Sequence, residues 1–336
     1  MEKILTVLAY LCLFIPTMAC GDSVDAEPLK ETESTNGEQK ATLQLTYKDE
    51  WRIDTISQGY IYYIYNRYDM LSDARQIVNV LEIDLTNPKY KLELAYYDRV
   101  QMPTLSVVSK EHKGTIGGIN GGYEPEAIYI KQNGNIISPI ALNEGHLRFW
   151  KHEGAICFSN SDTKIIFPGK AEEDVMIRGR LAKQVYEKSD AENILASAPV
   201  LIDDYDQVGE IFVPENLTSE QLDALDYEDY RRHQGVRHPR TIVALTENKK
   251  LLFITIDGRH TGKAEGMTAK EMTQFINKYF KPQYALNLDG GGSTAMYVKG
   301  HGDAITNIVN YPCDNNKFDH SGERNVTTFL LIKEVQ

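Results

Sequence analysis

The sequence predicts an α+β fold in which a largely antiparallel sheet packs against a few helices. Strand-like runs, rich in aromatic and β-branched residues, outnumber helical segments throughout the chain. Two of the gaps between such runs, residues 132–135 and 246–250, have the length and composition of hairpin turns, and the first contains an Asn-Gly pair. The predicted strands include residues 59–65, 77–85, 91–97, 127–131, 136–140, 163–167, 241–245, 251–256 and 326–332.

Three helices are predicted, and two of them begin with a capping-box pattern. Thr268 is followed by Glu271 three residues later, and Thr218 is followed by Gln221 at the same spacing. The helix after Thr268 has apolar residues at helical spacing until Pro282 ends it. The third predicted helix covers residues 105–113.

The first residues predict export. Residues 1–19 combine one Lys, an apolar run too short to span a bilayer and a small residue at the end, which is typical of a secretory signal peptide. Cys20 follows Ala19, an arrangement that resembles a bacterial lipobox, although Thr17 stands where Leu is commonest. We therefore expect a lipid-modified Cys20 and a membrane-anchored lipoprotein of the cell envelope, with ordinary cleavage near Ala19 as the alternative.

Composition divides the rest of the chain. Residues 20–42 are polar and almost free of large apolar side chains, which predicts a flexible tether. Residues 43–90 form a strand-rich N-terminal region, either a separate domain or an edge extension of the catalytic domain predicted for residues 91–336. The formal net charge of −12 argues against nucleic acid as a partner.

Charged residues and glycines cluster where predicted strands begin or end. The segment Asn287-Leu288-Asp289-Gly290-Gly291-Gly292-Ser293-Thr294 follows an apolar strand, and consecutive glycines are typical of tight turns or of close approach to a ligand. Four further segments have related compositions: Asn120-Gly121-Gly122, Pro239-Arg240-Thr241, Asp257-Gly258-Arg259 and Gly322-Glu323-Arg324-Asn325-Val326. Taken singly, each is more often a turn or a solvated charge than a functional site.

Together and in this order, with Gly266-Met267-Thr268, these segments resemble the phosphodiester glycosidase family, whose animal member is an N-acetylglucosamine-1-phosphodiester α-N-acetylglucosaminidase. The resemblance extends from about residue 92 to residue 332. Residues 171–232 match no part of the family pattern, which predicts a variable insertion.

The resemblance implies hydrolysis of the bond between a sugar and a phosphate in a sugar-1-phosphodiester, with N-acetylglucosamine-1-phosphodiester as the nearest example. Glycosidic cleavage passes through an oxocarbenium-like state that carboxyl groups stabilise. We expect Asp289 to stabilise or attack the anomeric carbon, Glu323 to supply or remove a proton, and Asp257 to orient Arg259 or a sugar hydroxyl.

The remaining motif residues are predicted to bind the substrate. Arg240 and Arg324 are expected to hold the phosphate, because a guanidinium gives bidentate contact to phosphate oxygens. Asn120 is expected to bind a sugar hydroxyl or acetamide. The amides and hydroxyls of residues 290–294 are expected to complete an anion cradle. The predicted binding residues are Asn120, Gly121, Gly122, Arg240, Thr241, Gly258, Arg259, Gly290, Gly291, Gly292, Ser293, Thr294 and Arg324.

No cofactor is required by the sequence. A Ca²⁺ or Mg²⁺ ion held by Asp257, Asn287 and Asp289 is an alternative, but no ligand spacing demands it, and ion pairs between these acids and the arginines are favoured. Export permits a disulfide between Cys157 and Cys313, and two buried free thiols are an equally good interpretation.

Three other functions are consistent with the same residues. In the first, the chain is a surface lipoprotein that binds glycans without catalysis. In the second, it is an interaction module of the cell envelope whose active site has lost its activity. The third is an enzyme that hydrolyses the phosphorus side of the diester and releases sugar-1-phosphate.

Overall fold

A computed structural model describes residues 48–160, 162–210 and 217–335, and all of these belong to one compact unit. The predicted signal peptide, Cys20 and the predicted tether up to residue 42 lie outside the described residues. No helix in the described part of the chain is both long enough and apolar enough to cross a membrane.

The described residues form sixteen strands and five helices. The strands are Arg52–Ser57 (β1), Tyr60–Asp69 (β2), Ala74–Asp84 (β3), Tyr90–Tyr96 (β4), Thr115–Asn120 (β5), Ile130–Gln132 (β6), Asn135–Ser138 (β7), Gly154–Phe158 (β8), Thr163–Ile166 (β9), Asn193–Ser197 (β10), Val200–Ile202 (β11), Arg240–Leu245 (β12), Lys250–Ile256 (β13), Tyr284–Asn287 (β14), Met296–Val298 (β15) and Thr328–Glu334 (β16). The helices are Leu105–Glu111 (α1), Val175–Lys188 (α2), Ser219–Asp223 (α3), Tyr230–Gly235 (α4) and Ala269–Phe280 (α5). The predicted α+β class is confirmed.

Three antiparallel sheets build the molecule. A seven-stranded sheet has the order β1-β2-β3-β13-β12-β14-β11, a five-stranded sheet has the order β7-β6-β10-β8-β9, and a four-stranded sheet has the order β15-β5-β16-β4. One apolar core joins them, with Leu81, Ile119 and Ile156 from the three sheets in the same cluster. Helix α5 buries Met272 and Phe275 against the other face of the seven-stranded sheet.

Both predicted hairpins are present, and both depend on left-handed turn residues. Asn133 and Gly134 have φ values of 50° and 80° between β6 and β7, the backbone that an Asn-Gly turn favours. Lys249, with φ of 57°, turns the chain from β12 into β13.

The N-terminal strand-rich region is continuous with the rest of the fold. Strand β3 pairs with β13 from Asp84 opposite Lys250 to Val78 opposite Ile256. Every residue of β3 except Arg75 is buried. This region is therefore part of the main sheet rather than a separate domain.

The segment 171–232, predicted to be a variable insertion, contributes strands to two of the three sheets. It supplies β10, which lies in the middle of the five-stranded sheet, and β11, which pairs with β14. Its remaining elements are α2, α3 and part of α4.

Candidate active site

The motif segments meet at one end of the seven-stranded sheet. Antiparallel register places Arg240 at the start of β12 opposite Ile256 at the end of β13, and Ile242 opposite Asn287 at the end of β14. Asp257 and Asp289 therefore leave the sheet where Arg240 enters it.

Two glycines let the loops pass directly against Pro239. A Cβ on Gly258 would lie 2.7 Å from the Pro239 nitrogen, and a Cβ on Gly290 would lie 2.6 Å from the Pro239 carbonyl oxygen. Real Cβ atoms do not approach backbone that closely, so a side chain at either position would push the loops apart.

Asn120 fastens three of the segments to one another. Its Nδ2 donates to the Asp289 carbonyl at 2.7 Å, and its Oδ1 accepts from the Thr241 hydroxyl at 2.7 Å and from the Ala295 N–H at 3.1 Å. The side chain is 1% exposed. Both polar atoms of the side chain thus already form hydrogen bonds within the protein. Asn120 was predicted to bind the sugar, and it could do so only if these hydrogen bonds were broken.

A cleft of about 160 Å³ opens at this end of the sheet. Arg240, Arg259, Gly290, Gly291, Asp289 and Arg324, all predicted from the motifs, line it together. The rest of the lining consists of Tyr123, Glu124, Lys151, Tyr227, Glu228, His233 and His238.

Asp289 is the carboxyl group of the cleft with a raised pKa. Burial raises the pKa of this carboxyl to about 6, against a hydrogen bond from Ser293 and the nearby charge of Lys151, which lower it. One oxygen, Oδ1, accepts from the Gly290 N–H at 2.9 Å. The group therefore changes protonation near neutral pH, which suits an acid, a base or a nucleophile.

Two guanidinium groups of the cleft form no ion pair with a carboxylate of the described residues. Arg240 is fully buried and donates to three backbone carbonyls, those of Met267, His233 and Val236, at 2.8–2.9 Å. Arg259 is exposed, has φ of 62°, and places Nη1 3.9 Å from the Cys313 sulfur. Their positive charge is available to an anion.

The other two cations of the cleft are paired. Arg324 binds Asp314 through Nε and Nη2. Lys151, 5% exposed, places Nζ 3.1 Å from Glu124 Oε1 and 2.6 Å from Glu228 Oε2. The pKa of Glu124 is lowered, because the charge of Lys151 and its hydrogen bonds outweigh burial.

Two histidines of the cleft are neutral at pH 7. Burial, followed by the charge of Arg240, lowers the pKa of both rings, that of His238 to about 3. Neither ring therefore adds charge to the cleft.

Asp257 and Glu323 do not line the cleft. Asp257 is fully buried, and its Oδ1 accepts from Asn310 Nδ2 and the Tyr311 N–H, both at 3.0 Å, which fixes the loop after β15. Glu323 Oε1 accepts from the Ser106 N–H at the start of α1 at 2.9 Å. Both acids therefore stabilise neighbouring loops. Asp257 was predicted to orient Arg259 or a sugar hydroxyl, and no hydrogen bond or ion pair joins it to Arg259 among the described residues.

The predicted anion cradle at the glycine loop is wrong for two of its three glycine amides. The Gly290 N–H is bonded to Asp289, and the Gly291 N–H donates to the Pro239 carbonyl at 2.8 Å. Among the residues predicted to bind substrate, those that lie outside the cleft lining are Asn120, Gly121, Gly122, Thr241, Gly258, Gly292, Ser293 and Thr294.

Ion pairs between the motif acids and the arginines, favoured from the sequence, are also wrong. Asp257, Asp289 and Glu323 take part in none of the ion pairs of the described residues, and Arg324 pairs with Asp314 instead. No group of three His, Cys, Asp or Glu side chains with the geometry of a metal site occurs in the described part of the chain. Cys157 and Cys313 are both buried and unpaired.

Seven lining residues had no signal in the sequence strong enough to identify them. Lys151 lies within a short 3₁₀ turn, Tyr227 and Glu228 lie between α3 and α4, and His233 lies in α4. None of these four residues belongs to a motif segment. Only Tyr123, Glu124 and His238 adjoin motif glycines or Pro239 in the sequence.

A larger groove lies elsewhere and contains none of the motif residues. It has a volume of about 920 Å³ and an open, mixed lining that includes Tyr90, Glu93, His112 and Lys249. The convergence of unpaired cations and a carboxyl with a raised pKa distinguishes the smaller cleft as the candidate site.

Comparisons with known proteins agree with this architecture. A family model described as phosphodiester glycosidase matches residues 110–333. Among solved structures, the chain is similar to the catalytic domain of zebrafish N-acetylglucosamine-1-phosphodiester alpha-N-acetylglucosaminidase auto-inhibited by its pro-peptide, with 16% identity, a TM-score of 0.55, and coverage of 89% of this chain and 86% of that one. It is also similar to a hypothetical protein from Synechocystis, with 13% identity, a TM-score of 0.57, and coverage of 85% of this chain and 64% of that one. At such identities the structural likeness concerns the fold alone. No curated protein matches the chain.

Proposed function

Because the chain belongs to the phosphodiester glycosidase family, we propose that it is an exported hydrolase of a sugar-1-phosphodiester. It cleaves the glycosidic bond between the anomeric carbon and the phosphate oxygen, and it releases the free sugar and a phosphomonoester. N-acetylglucosamine-1-phosphodiesters are the nearest expected substrates. The observation that carries the proposal is the cleft that Asp289 lines together with the unpaired guanidinium groups of Arg240 and Arg259.

The arginines bind the phosphate. A phosphodiester keeps one negative charge, and a guanidinium with free N–H groups, such as that of Arg259, contacts its oxygens through parallel donors, whereas Arg240 offers only Nη1. Arg240 is held by three backbone carbonyls, so it is oriented before the substrate arrives. Burial lowers the pKa of Arg240 to about 10, which leaves it charged at neutral pH.

Asp289 acts at the anomeric carbon. Positive charge develops there as the bond to phosphate breaks, and an ionised carboxylate stabilises it, attacks it or activates the water that attacks it. A phosphomonoester leaves as a stable anion, so protonation of the leaving group is less important than in ordinary glycosidases. One uncommitted carboxylate is therefore sufficient for this cleft, and Glu323 has no necessary part in the step.

Comparison of products and variants tests this proposal. Wild type is expected to release sugar and phosphomonoester from a panel of α- and β-linked sugar-1-phosphodiesters. Asp289→Asn is expected to lower kcat at least about a hundredfold. Arg259→Gln is expected to raise KM about tenfold or more, because it removes charge-assisted hydrogen bonds to the phosphate.

Matched surface variants control for the loss of charge alone. Asp190→Asn and Arg67→Gln change exposed residues that make no ion pair in the described part of the chain, and both are expected to retain wild-type kinetics. Turnover of Asp289→Asn within a few-fold of wild type would remove Asp289 from the mechanism. Binding of the diesters without turnover by wild type would favour a glycan-binding lipoprotein.

The cellular location is proposed from the first residues of the sequence alone. The signal-like residues 1–19 and the lipobox-like Cys20 predict a lipid-anchored protein whose partner is the membrane. Replacement of Cys20 by Ser is expected to move the protein from the membrane fraction to the soluble fraction after cell lysis. An unchanged distribution would exclude the anchor.

A further inference from the structure

Glu228 belongs to the segment 171–232, which contains none of the motifs identified in the sequence, and the structure places it in the lining of the cleft. The indole Nε1 of Trp150 donates to the Glu228 carbonyl at 2.9 Å. The buried ammonium of Lys151 lies 2.6 Å from Glu228 Oε2. Two neighbouring residues therefore hold both the backbone and the side chain of Glu228 in place.

The carboxylate of Glu228 is only partly engaged by the protein. Its Oε2 is buried and contacts Lys151 as an ion pair without an aligned hydrogen bond, its Oε1 takes part in none of the hydrogen bonds or ion pairs of the described residues, and the side chain is 32% exposed. Glu124, the other acid beside Lys151, differs in this respect. Both of its oxygens contact Lys151, and Oε1 also accepts from Arg148.

We propose that Glu228 determines the class of sugar that the cleft accepts, an inference that rests on the proposed function. Its free oxygen accepts a hydrogen bond from a sugar hydroxyl group. The enzyme therefore takes neutral sugar-1-phosphodiesters and discriminates against those whose sugar carries a carboxylate.

Charge is the reason for this selection. Arg240 and Arg259 are engaged by the phosphate in the bound state, and Arg324 is paired with Asp314. Lys151 is shared between Glu124 and Glu228, and Arg148 also pairs with Glu124. The sugar thus meets Glu228 Oε1, an oxygen that takes part in no ion pair of the described residues, and this oxygen attracts hydroxyl donors and repels a uronate.

Hydrolysis of two methyl diesters tests the inference: glucose-1-(methyl phosphate) and its glucuronic acid counterpart. The wild-type kcat/KM is expected to favour the neutral sugar by roughly tenfold or more, the effect of one charge-assisted hydrogen bond. In Glu228→Gln this preference is expected to collapse toward one, mainly through KM, with a similar kcat. Glu172→Gln, an exposed acid of the same segment, is expected to keep the wild-type preference.

Outcomes for the inference and for the proposed function are separable. An unchanged preference in a Glu228→Gln protein that melts at the wild-type temperature overturns the inference and leaves the activity intact. If wild type hydrolyses neither diester, the proposed function fails, and calorimetric binding of the same two diesters decides the inference. Tighter binding of the neutral diester that Glu228→Gln abolishes supports it; equal binding, or no binding of either diester, overturns it.

Discussion

Asp289 combines three features that are rarely found together on a surface acid: limited exposure, a neighbouring hydroxyl and a cleft that contains unpaired guanidinium groups. Burial raises the pKa of the carboxyl by favouring the neutral form, whereas the Ser293 hydroxyl and nearby cations favour the charged form. Burial is the largest of these effects. The proposed chemistry needs the charged form, so activity depends on pH.

Activity is expected to rise with pH through about 6, the raised pKa of Asp289. Below that pH the carboxyl is protonated, and kcat/KM is expected to fall about tenfold for each pH unit. Initial rates between pH 4.5 and pH 8 with one sugar-1-phosphodiester measure this dependence. Rates that increase as the pH falls through 6 would mean that the protonated carboxyl is the active form.

Asp257 predicts a pH dependence of stability rather than of catalysis. Its burial raises the pKa of the carboxyl to about 7, and Oδ2 has no hydrogen-bond partner. The Asp257 carboxyl loses its proton at about pH 4 in the unfolded chain and at about pH 7 in the folded chain. Between these pH values the folded chain therefore binds one proton more than the unfolded chain does. The free energy of unfolding therefore falls with rising pH, by up to about 1.4 kcal/mol per unit from this group.

Asp257→Asn removes this contribution while Oδ1 can still accept from Asn310 and Tyr311. The free energy of unfolding is measured with urea at pH 5 and at pH 8 for both proteins. The variant minus wild-type difference is expected to be more positive at pH 8 than at pH 5. Asp190→Asn serves as the control, because its exposed side chain should show no such gain. An equal difference between variant and wild type at both pH values would contradict the assignment.

The helix that follows the predicted capping box shows how local sequence determines an element. In α5 the Thr268 hydroxyl accepts from the Glu271 N–H at 3.1 Å, and the Glu271 carboxylate accepts from the Thr268 N–H at 2.9 Å. Both bonds satisfy donors that a helix terminus otherwise leaves unpaired. The prediction of this helix and its start from sequence is confirmed.

Thr268→Ala is expected to lower the free energy of unfolding by about 1 kcal/mol, because the N–H of Glu271 loses its acceptor. Thr268→Ser retains the hydroxyl and is expected to remain close to wild type. Urea unfolding of the three proteins at one pH provides the comparison. Equal losses in both variants would mean that the methyl group, and not the cap, is responsible.

Helix α2 was not predicted, and its packing explains why. Its buried positions include Arg178 and Gly179, residue types that weaken an amphipathic pattern. Arg178 is buried because it meets the carboxylate of Glu153 at 3.1 Å, and Gly179 because Phe149 lies against it. Both partners are distant in sequence. Asp174, whose side chain accepts from the Met176 N–H, was the available signal for the start of this helix.

At the scale of the whole molecule, motif order was sufficient to predict the family, and it located one wall of the cleft. Arg240, Arg259 and Asp289 adjoin the ends of β12, β13 and β14, which the antiparallel register brings together, and Arg324 reaches the same cleft from the segment before β16 of the four-stranded sheet. The opposite side of the lining could not be predicted. Lys151 and Glu228 acquire their roles only from contacts between distant segments, for which one sequence contains no signal.

The continuous seven-stranded sheet predicts which truncations the fold tolerates. A chain that begins at Ala41 contains every described strand and is expected to unfold cooperatively with wild-type kcat/KM. A chain that begins at Tyr90 lacks β1 to β3 and leaves the apolar β13 at a sheet edge, so it is expected to aggregate. Circular dichroism melting and activity measure both. A soluble, active chain from Tyr90 would contradict the dependence on these strands.

Hydrolysis in H₂¹⁸O shows which bond of the diester the protein cleaves. Cleavage at the anomeric carbon places ¹⁸O in the released sugar and none in the phosphomonoester. As a control, Asp289→Asn incubated for the same time is expected to give label in neither product. Mass spectrometry of the two products, stopped before the free sugar exchanges its anomeric oxygen, is expected to show this distribution. Label in the phosphate, with sugar-1-phosphate among the products, would place the reaction at phosphorus and contradict the account.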